Sequence, residues 1–143
     1  MWIAIATNVK NDGEYEWNTT NLDDGDKYVI MIKAQDKSHN NGTVMSKEFT
    51  VDNTKPSLEV EKPAIGKVYI FNREVLPTIG KKAVVIGKIT VEVKASDALS
   101  GIQKVEFWVD GKYKSQDSSS PYEWTWDEQM FLTHTLKVVA YDN

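Results

Sequence analysis

In Val105-Glu106-Phe107-Trp108-Val109-Asp110-Gly111, side-chain character alternates with a period of two. An extended strand turns successive side chains to opposite faces. Val105, Phe107 and Val109 therefore share one face, and Glu106, Trp108 and Asp110 the other. The apolar face must be buried, and Asp110-Gly111 supplies the pair that tolerates positive φ in a tight hairpin turn. Outward from this strand the pattern recurs, in Leu136, Val138 and Ala140 and in Ile89, Val91, Val93 and Ala95. Segments rich in Val, Ile, Tyr, Trp and Thr, separated by clusters of Asn, Asp, Gly, Ser and Pro, predict strands at 2–6, 14–19, 28–34, 44–51, 57–61, 68–71, 83–86, 89–95, 105–109, 122–126 and 135–141. No segment carries a helical period. Short strands at spacings of roughly 8 to 12 residues predict an all-β sandwich.

The chain also repeats itself. Tyr15-Glu16-Trp17 matches Tyr122-Glu123-Trp124, and behind each triplet comes a strand ending Ala-x-Asp. Ile30, Ile32, Ala34 and Asp36 fall on Leu136, Val138, Ala140 and Asp142, an offset of about 106 to 107 residues and one sandwich domain in length. The first copy has no counterpart of 57–95, and the second none of 44–51. The sequence thus predicts the C-terminal half of one repeat at 1–54 and, at 55–143, a near-complete repeat lacking its last strand. The polar run Val51-Asp52-Asn53-Thr54-Lys55-Pro56 is the predicted boundary, because Pro56 cannot donate to a strand ladder. A half sandwich buries little of its own apolar surface, so the open strand edges call for cover from neighbouring repeats or from copies of the chain itself.

Composition narrows the function. Seventeen Lys and Arg against 21 Asp and Glu give a formal net charge of −4, and without a basic stripe nucleic acid is not an expected partner. The absence of cysteine excludes disulfides and thiolate metal sites. No run approaches the roughly 18 apolar residues of a membrane span, and residues 1–7 lack the basic start and cleavage site of a signal peptide.

Catalysis has little to work with. His39 lies in a polar turn and His134 just before a strand, and both are read as solvated loop residues. The run from Gly80 to Gly87-Lys88 has the wrong spacing for a phosphate loop, with Ile89 where Ser or Thr would bind magnesium. Glu16 and Glu123 recur once per repeat, which reads as solvated strand-face charge rather than a glycosidase pair. The chain is predicted not to be an enzyme.

The run Ser96-Asp97, Ser100-Gly101-Ile102, Lys104-Val105-Glu106-Phe107, Val109-Asp110-Gly111, Pro121-Tyr122-Glu123-Trp124 and Val138-Val139-Ala140-Tyr141-Asp142-Asn143 resembles the immunoglobulin-like repeats of bacterial and archaeal surface-layer, adhesin-like and secreted proteins. Phe49 to Pro56 is similar to the link between consecutive copies, and the insert from Gly66 to Gly87 is closest to archaeal versions. The resemblance implies an immunoglobulin-like or fibronectin III-like sandwich. It also implies a non-catalytic structural or adhesive module, extracellular at the cell surface, with strand exchange into a fibre as a variant. The alternative is an accessory carbohydrate-binding domain of a secreted hydrolase.

That topology sends Asp97, Asp142 and the linker pair Asp52-Asn53 to one pole. Their oxygens suit Ca²⁺, though Asp and Asn also serve turns by local hydrogen bonding alone. A second acidic turn, Asp23-Asp24-Gly25-Asp26, lacks EF-hand spacing. No other cofactor is expected. Trp17 and Trp124 are predicted core residues. Trp108 is predicted to face outward, as an ordinary surface residue, a polysaccharide platform or a contact with a neighbouring repeat. Asn18-Thr19-Thr20 and Asn41-Gly42-Thr43 match the glycosylation pattern, and Asn41-Gly42 equally suits a hairpin turn.

Overall fold

The computed structural model describes residues 2–78, 80–129 and 131–143, which form strands and, among the described residues, no helix. The chain divides into two compact units, Met1–Thr54 and Lys55–Asn143.

In the first unit, β1 (Gly25–Tyr28), β2 (Met31–Gln35), β3 (Asn41–Met45) and β4 (Phe49–Val51) make one bent hairpin, β2 pairing with β3 and β1 with β4. Ser46 joins the two ladders: its N–H donates to the Ile30 carbonyl at 2.8 Å, and its Oγ accepts from the Ile30 N–H at 2.9 Å. The predicted strands at 28–34 and 44–51 are each split by this interruption. The hairpin turn is not at Asn41-Gly42, which begins β3. It closes earlier because Asp36 caps it: Oδ1 accepts from the N–H groups of Ser38 and Asn40 at 2.8 and 2.9 Å, and Oδ2 from Asn40 Nδ2. At the other end, Asp24 accepts from the Asn53 N–H at 2.6 Å and from the Thr54 hydroxyl. Among the described residues of this unit only Val51 is fully buried, and every residue of β2 and β3 is exposed. Trp17, predicted to fill a core, is half-buried.

The second unit contains β5 (Ser57–Lys62), β6 (Lys67–Ile70), β7 (Arg73–Pro77), β8 (Val84–Ile86), β9 (Ile89–Ser96), β10 (Ile102–Val109), β11 (Lys112–Asp117), β12 (Tyr122–Trp126) and β13 (Leu136–Asp142). Two antiparallel sheets, ordered β12-β9-β5 and β11-β10-β13, are the layers of the sandwich. Alternation works as the sequence predicts. Val105, Phe107 and Val109 of β10 are at most 1% exposed, and from the other sheet Ile89, Val91 and Val93 of β9 and Tyr122 of β12 are buried with them. Trp124 closes the gap between layers, its ring 5.8 Å from that of Phe107, and stacks on Trp126 at 5.9 Å. Burying a side chain of the Phe or Val class contributes about 1.5–3 kcal/mol, so this contiguous cluster carries the stability of the unit. The β10–β11 turn places Asp110 at φ 50° and Gly111 at φ 76°, as expected for the tight hairpin.

The insert between β5 and β9 forms a third, mixed sheet ordered β7-β6-β8, with β6 and β8 parallel. Its tip is fastened to β9 by Asn72, whose Oδ1 accepts from the Thr90 N–H at 2.8 Å while Nδ2 donates to Thr90 Oγ1 at 3.1 Å. Gly87 is required beneath that tip, because a Cβ there would lie 2.7 Å from the Phe71 ring.

Segments 2–6 and 14–19, predicted as strands, join no ladder. The reason is visible in the second unit, where Tyr122-Glu123-Trp124 is a strand because β9 pairs along it. Among the described residues of the first unit no strand corresponds to β9, and a strand needs a neighbour to satisfy its backbone.

Phe107→Ala should destabilise the second unit by about 3–5 kcal/mol, read as a lower urea midpoint. Ile32→Ala, on the exposed ribbon, should change stability by less than about 0.5 kcal/mol. Equal losses at the two positions would contradict this placement of the core.

Candidate functional site

β10 turns Lys104, Glu106 and Trp108 to the outer face of its sheet, and register brings Tyr113 of β11 beside Trp108 and Tyr141 of β13 beside Lys104. Glu106, at the centre, is only 8% exposed. Its Oε1 accepts from Lys104 Nζ at 2.6 Å, and its Oε2 from Trp108 Nε1 at 3.2 Å and the Tyr141 hydroxyl at 3.1 Å. Lys104 Nζ lies 4.7 Å from the centre of the Tyr141 ring, a cation–π distance. Trp108 and Tyr113 meet edge to face at 5.6 Å. The outward placement predicted for Trp108 holds, but the side chain is half-buried against these neighbours.

The chemistry of this cluster is that of a fixed anion. The Lys104 ammonium, with the Trp108 and Tyr141 donors, keeps the Glu106 carboxyl below the usual carboxylate range, and the carboxylate in turn raises Lys104 and Tyr141. A general acid or base works best when its pKa lies near the working pH, which none of these shifts brings about. The i, i+2, i+4 spacing of Lys104, Glu106 and Trp108 was readable in the sequence. The contributions of Tyr113 and Tyr141 depend on strand register.

His134 is not the solvated loop residue the sequence suggested. Its Nδ1 lies 2.7 Å from Asp110 Oδ2 and its Nε2 2.8 Å from the Phe131 carbonyl. Asp110 Oδ1 also accepts from the Thr135 N–H at 2.9 Å, and the imidazole packs edge-on against Trp126. With acceptors at both ring nitrogens, the imidazolium form is favoured. The bond to Asp110 therefore raises the His134 pKa above its ordinary 6.5, and His134 holds Asp110 below its ordinary 3.8. The pair fastens the β10–β11 turn to the loop before β13. His39 stays exposed in its turn, at φ 68°.

The residues proposed for calcium serve local roles. Asp97 Oδ1 accepts from the N–H groups of Leu99 and Ser100 at 2.9 Å and of Gly101 at 3.1 Å, and the Leu99 bond leads in holding its carboxyl below the usual range. Asp142 pairs with Ile102 across the ladder, and Asn143 Nδ2 donates to the Ser100 carbonyl at 2.8 Å. The Asp97 turn and the end of β13 therefore share one pole of the second unit, together with Ser57, whose Oγ lies 2.7 Å from Ser96 Oγ. Asp52 and Asn53 belong to the first unit. Asp52 Oδ1 accepts from the Thr54 N–H, and Asn53 Nδ2 donates to the carbonyls of Thr19 and Leu22. Among the described residues no group of three or more His, Asp or Glu side chains is assembled to hold a metal ion. Glu16 and Glu123 are exposed, as predicted. Asn18, a predicted glycosylation acceptor, is exposed and accepts through Oδ1 from the Thr20 N–H and hydroxyl.

Residues 75–138 match the family model of the bacterial Ig domain. The second unit is a bacterial Ig-like repeat. The matched segment takes in β9, β10, β11 and β12, which hold most of the repeat's core. Among solved structures the chain is similar to the fibronectin(III)-like modules of Clostridium thermocellum CbhA, at 22% identity and a TM-score of 0.49, over 82% of this chain and 55% of that one. The chain thus spans little more than half the length of that structure. No curated protein matches the chain.

The repeat should lose stability as pH rises through the raised pKa of His134, because that contribution is full below the ordinary value of 6.5. Asp110 acts in the opposite direction: its contribution is present above 3.8 and is lost as acid protonates it. Urea midpoints measured from pH 5 to pH 9 should fall with rising pH in the parent and stay flatter in His134→Gln. A parallel decline in both would show that His134 is not the titrating bolt.

Proposed function

We propose that the chain is a non-catalytic structural or adhesive module of an extracellular surface protein, of the kind arrayed in tandem. The reading is carried by how the shifted ionisable groups are used. The carboxyls of Asp36, Asp97, Glu106 and Asp110 are all held below their usual range by hydrogen bonds that close a turn, tie a turn to a neighbouring loop or pin a sheet face. A general acid at neutral pH needs the opposite shift, from burial without donors. The internal repeat supports the tandem arrangement, and bacterial Ig domains are usually extracellular. Assembly of copies into a fibre by strand exchange is a variant of the same reading.

A second reading, an accessory carbohydrate-binding domain, is favoured by one observation. Trp108, Tyr113 and Tyr141 share the solvent side of one sheet around Glu106, with Tyr113 48% and Tyr141 39% exposed.

Antibodies against the chain should label intact cells of the source organism, whereas labelling only after lysis would contradict a surface role. In native gels cast with soluble polysaccharides, the parent and Trp108→Ala should migrate alike. Retardation of the parent that Trp108→Ala abolishes would decide for the carbohydrate-binding reading.

A further inference from the structure

The chain carries two Asn-x-Thr sequences, the pattern of a glycosylation acceptor, and the fold treats them differently. Asn18 is exposed. Its Oδ1 accepts from the Thr20 N–H at 2.9 Å and from the Thr20 hydroxyl at 2.8 Å, which leaves Nδ2 on the far side of the amide, and no described residue accepts from it. The turn is anchored from behind. The Leu22 N–H donates to the Thr19 carbonyl at 2.9 Å, and Asn53 Nδ2 donates to the carbonyls of Thr19 and Leu22, both at 3.1 Å. Asn41 instead opens β3, opposite Gln35, with Thr43 opposite Lys33 in the same ladder. Both side chains stand out from one face of an extended strand. Among the described residues no hydrogen bond joins the Asn41 amide to Thr43.

The exposure of Asn18 does not depend on what precedes the first unit. The bonds from Thr20 are local, and the anchors Leu22 and Asn53 both follow Asn18 in the chain. In the internal repeat Asn18 falls on Thr125, one position past Trp124 as Asn18 is past Trp17. Thr125 pairs with Thr90 of β9 and is exposed all the same, because Tyr122 and Trp124 take the inward side of β12. Trp126 and Asp127 stand where the first copy has Thr19 and Thr20, so the second copy has no acceptor there.

We infer that Asn18 is a glycosylation site, its Nδ2 taking an oligosaccharide from a donor whose anomeric carbon is bound to a phosphate or pyrophosphate. A transferase acting in trans catalyses the step. The C1–O bond breaks and its electron pair leaves with the phosphate; the Nδ2 lone pair forms the N–C1 bond, and one Nδ2 proton passes to a base of the transferase. An amide nitrogen is a poor nucleophile because its lone pair is shared with the carbonyl. The two Thr20 donors stabilise the charge that gathers on Oδ1 as the proton leaves. The inference rests on the extracellular reading, since such acceptors are used on surface loops of secreted proteins.

The test is made on the protein purified from the source organism. Trypsin places the two sequences in separate peptides, residues 11–27 and 38–47. In mass spectra, 11–27 should carry the added mass of at least one sugar, located on Asn18 by fragmentation, while 38–47 keeps its unmodified mass. Produced in the same organism, Asn18→Gln and Thr20→Ala should lose the added mass, and Thr20→Ser should keep it. An unmodified 11–27 overturns the inference, as does sugar on 38–47 at equal or greater occupancy, or sugar on 11–27 that survives Asn18→Gln. Each of these results is compatible with labelling of intact cells, so the surface reading fails separately, on that labelling.

Discussion

Phe107 packed between two sheets is the contact on which the second unit depends. Its ring is wholly buried and meets Trp124 from the opposite layer, with Val91, Val93, Val105 and Tyr122 around it. A β-sheet has two faces, and without a second layer its apolar side stays in water. The two units of this chain display both conditions. Where β9 and β12 supply the second layer, valines at the centre of the sheets reach 0% exposure. The hairpin of the first unit, with no such layer, keeps Ile32 and Val44 mostly exposed.

Once the core is closed, the polar residues are left to shape its margins. Asp36 and Asp97 each close a turn by accepting backbone N–H groups, and Asp110 ties the β10–β11 turn to the loop before β13 by accepting the Thr135 N–H. Glu106 does the corresponding work on a sheet face, drawing Lys104, Trp108 and Tyr141 onto one carboxylate. Their hydrogen bonds hold all four carboxyls below the usual carboxylate range. Carboxylates that satisfy several donors are stabilised as anions.

The sandwich was legible in the sequence wherever alternation coincided with burial on one side, as in β9, β10 and β13. β11 was not, because Lys-Tyr-Lys-Ser-Gln-Asp has no apolar alternation; it is an edge strand held by its ladder with β10 and by the Lys114–Glu128 ion pair. The opposite error occurred at 14–19, where strand-like side chains have no neighbouring backbone to pair with. At Asn41-Gly42 a favourable turn dipeptide lost to the stronger cap from Asp36. Among site residues, the turn-capping use of Asp97 and the outward side of Trp108 could be read from local pattern. The His134–Asp110 pair could not, since it joins residues 24 positions apart through the closure of the sandwich.

The difference between the two units is open to one direct measurement, native-state hydrogen exchange of the full chain followed across low denaturant concentrations. Amides of Val91, Val93, Val105 and Phe107 should exchange only through global unfolding of their unit, with a steep denaturant dependence. Those of β2 and β3 should exchange through small local openings that denaturant barely affects. Equal protection and equal denaturant dependence in the two units would contradict the claim that closure of the second layer, rather than strand pairing alone, holds this fold.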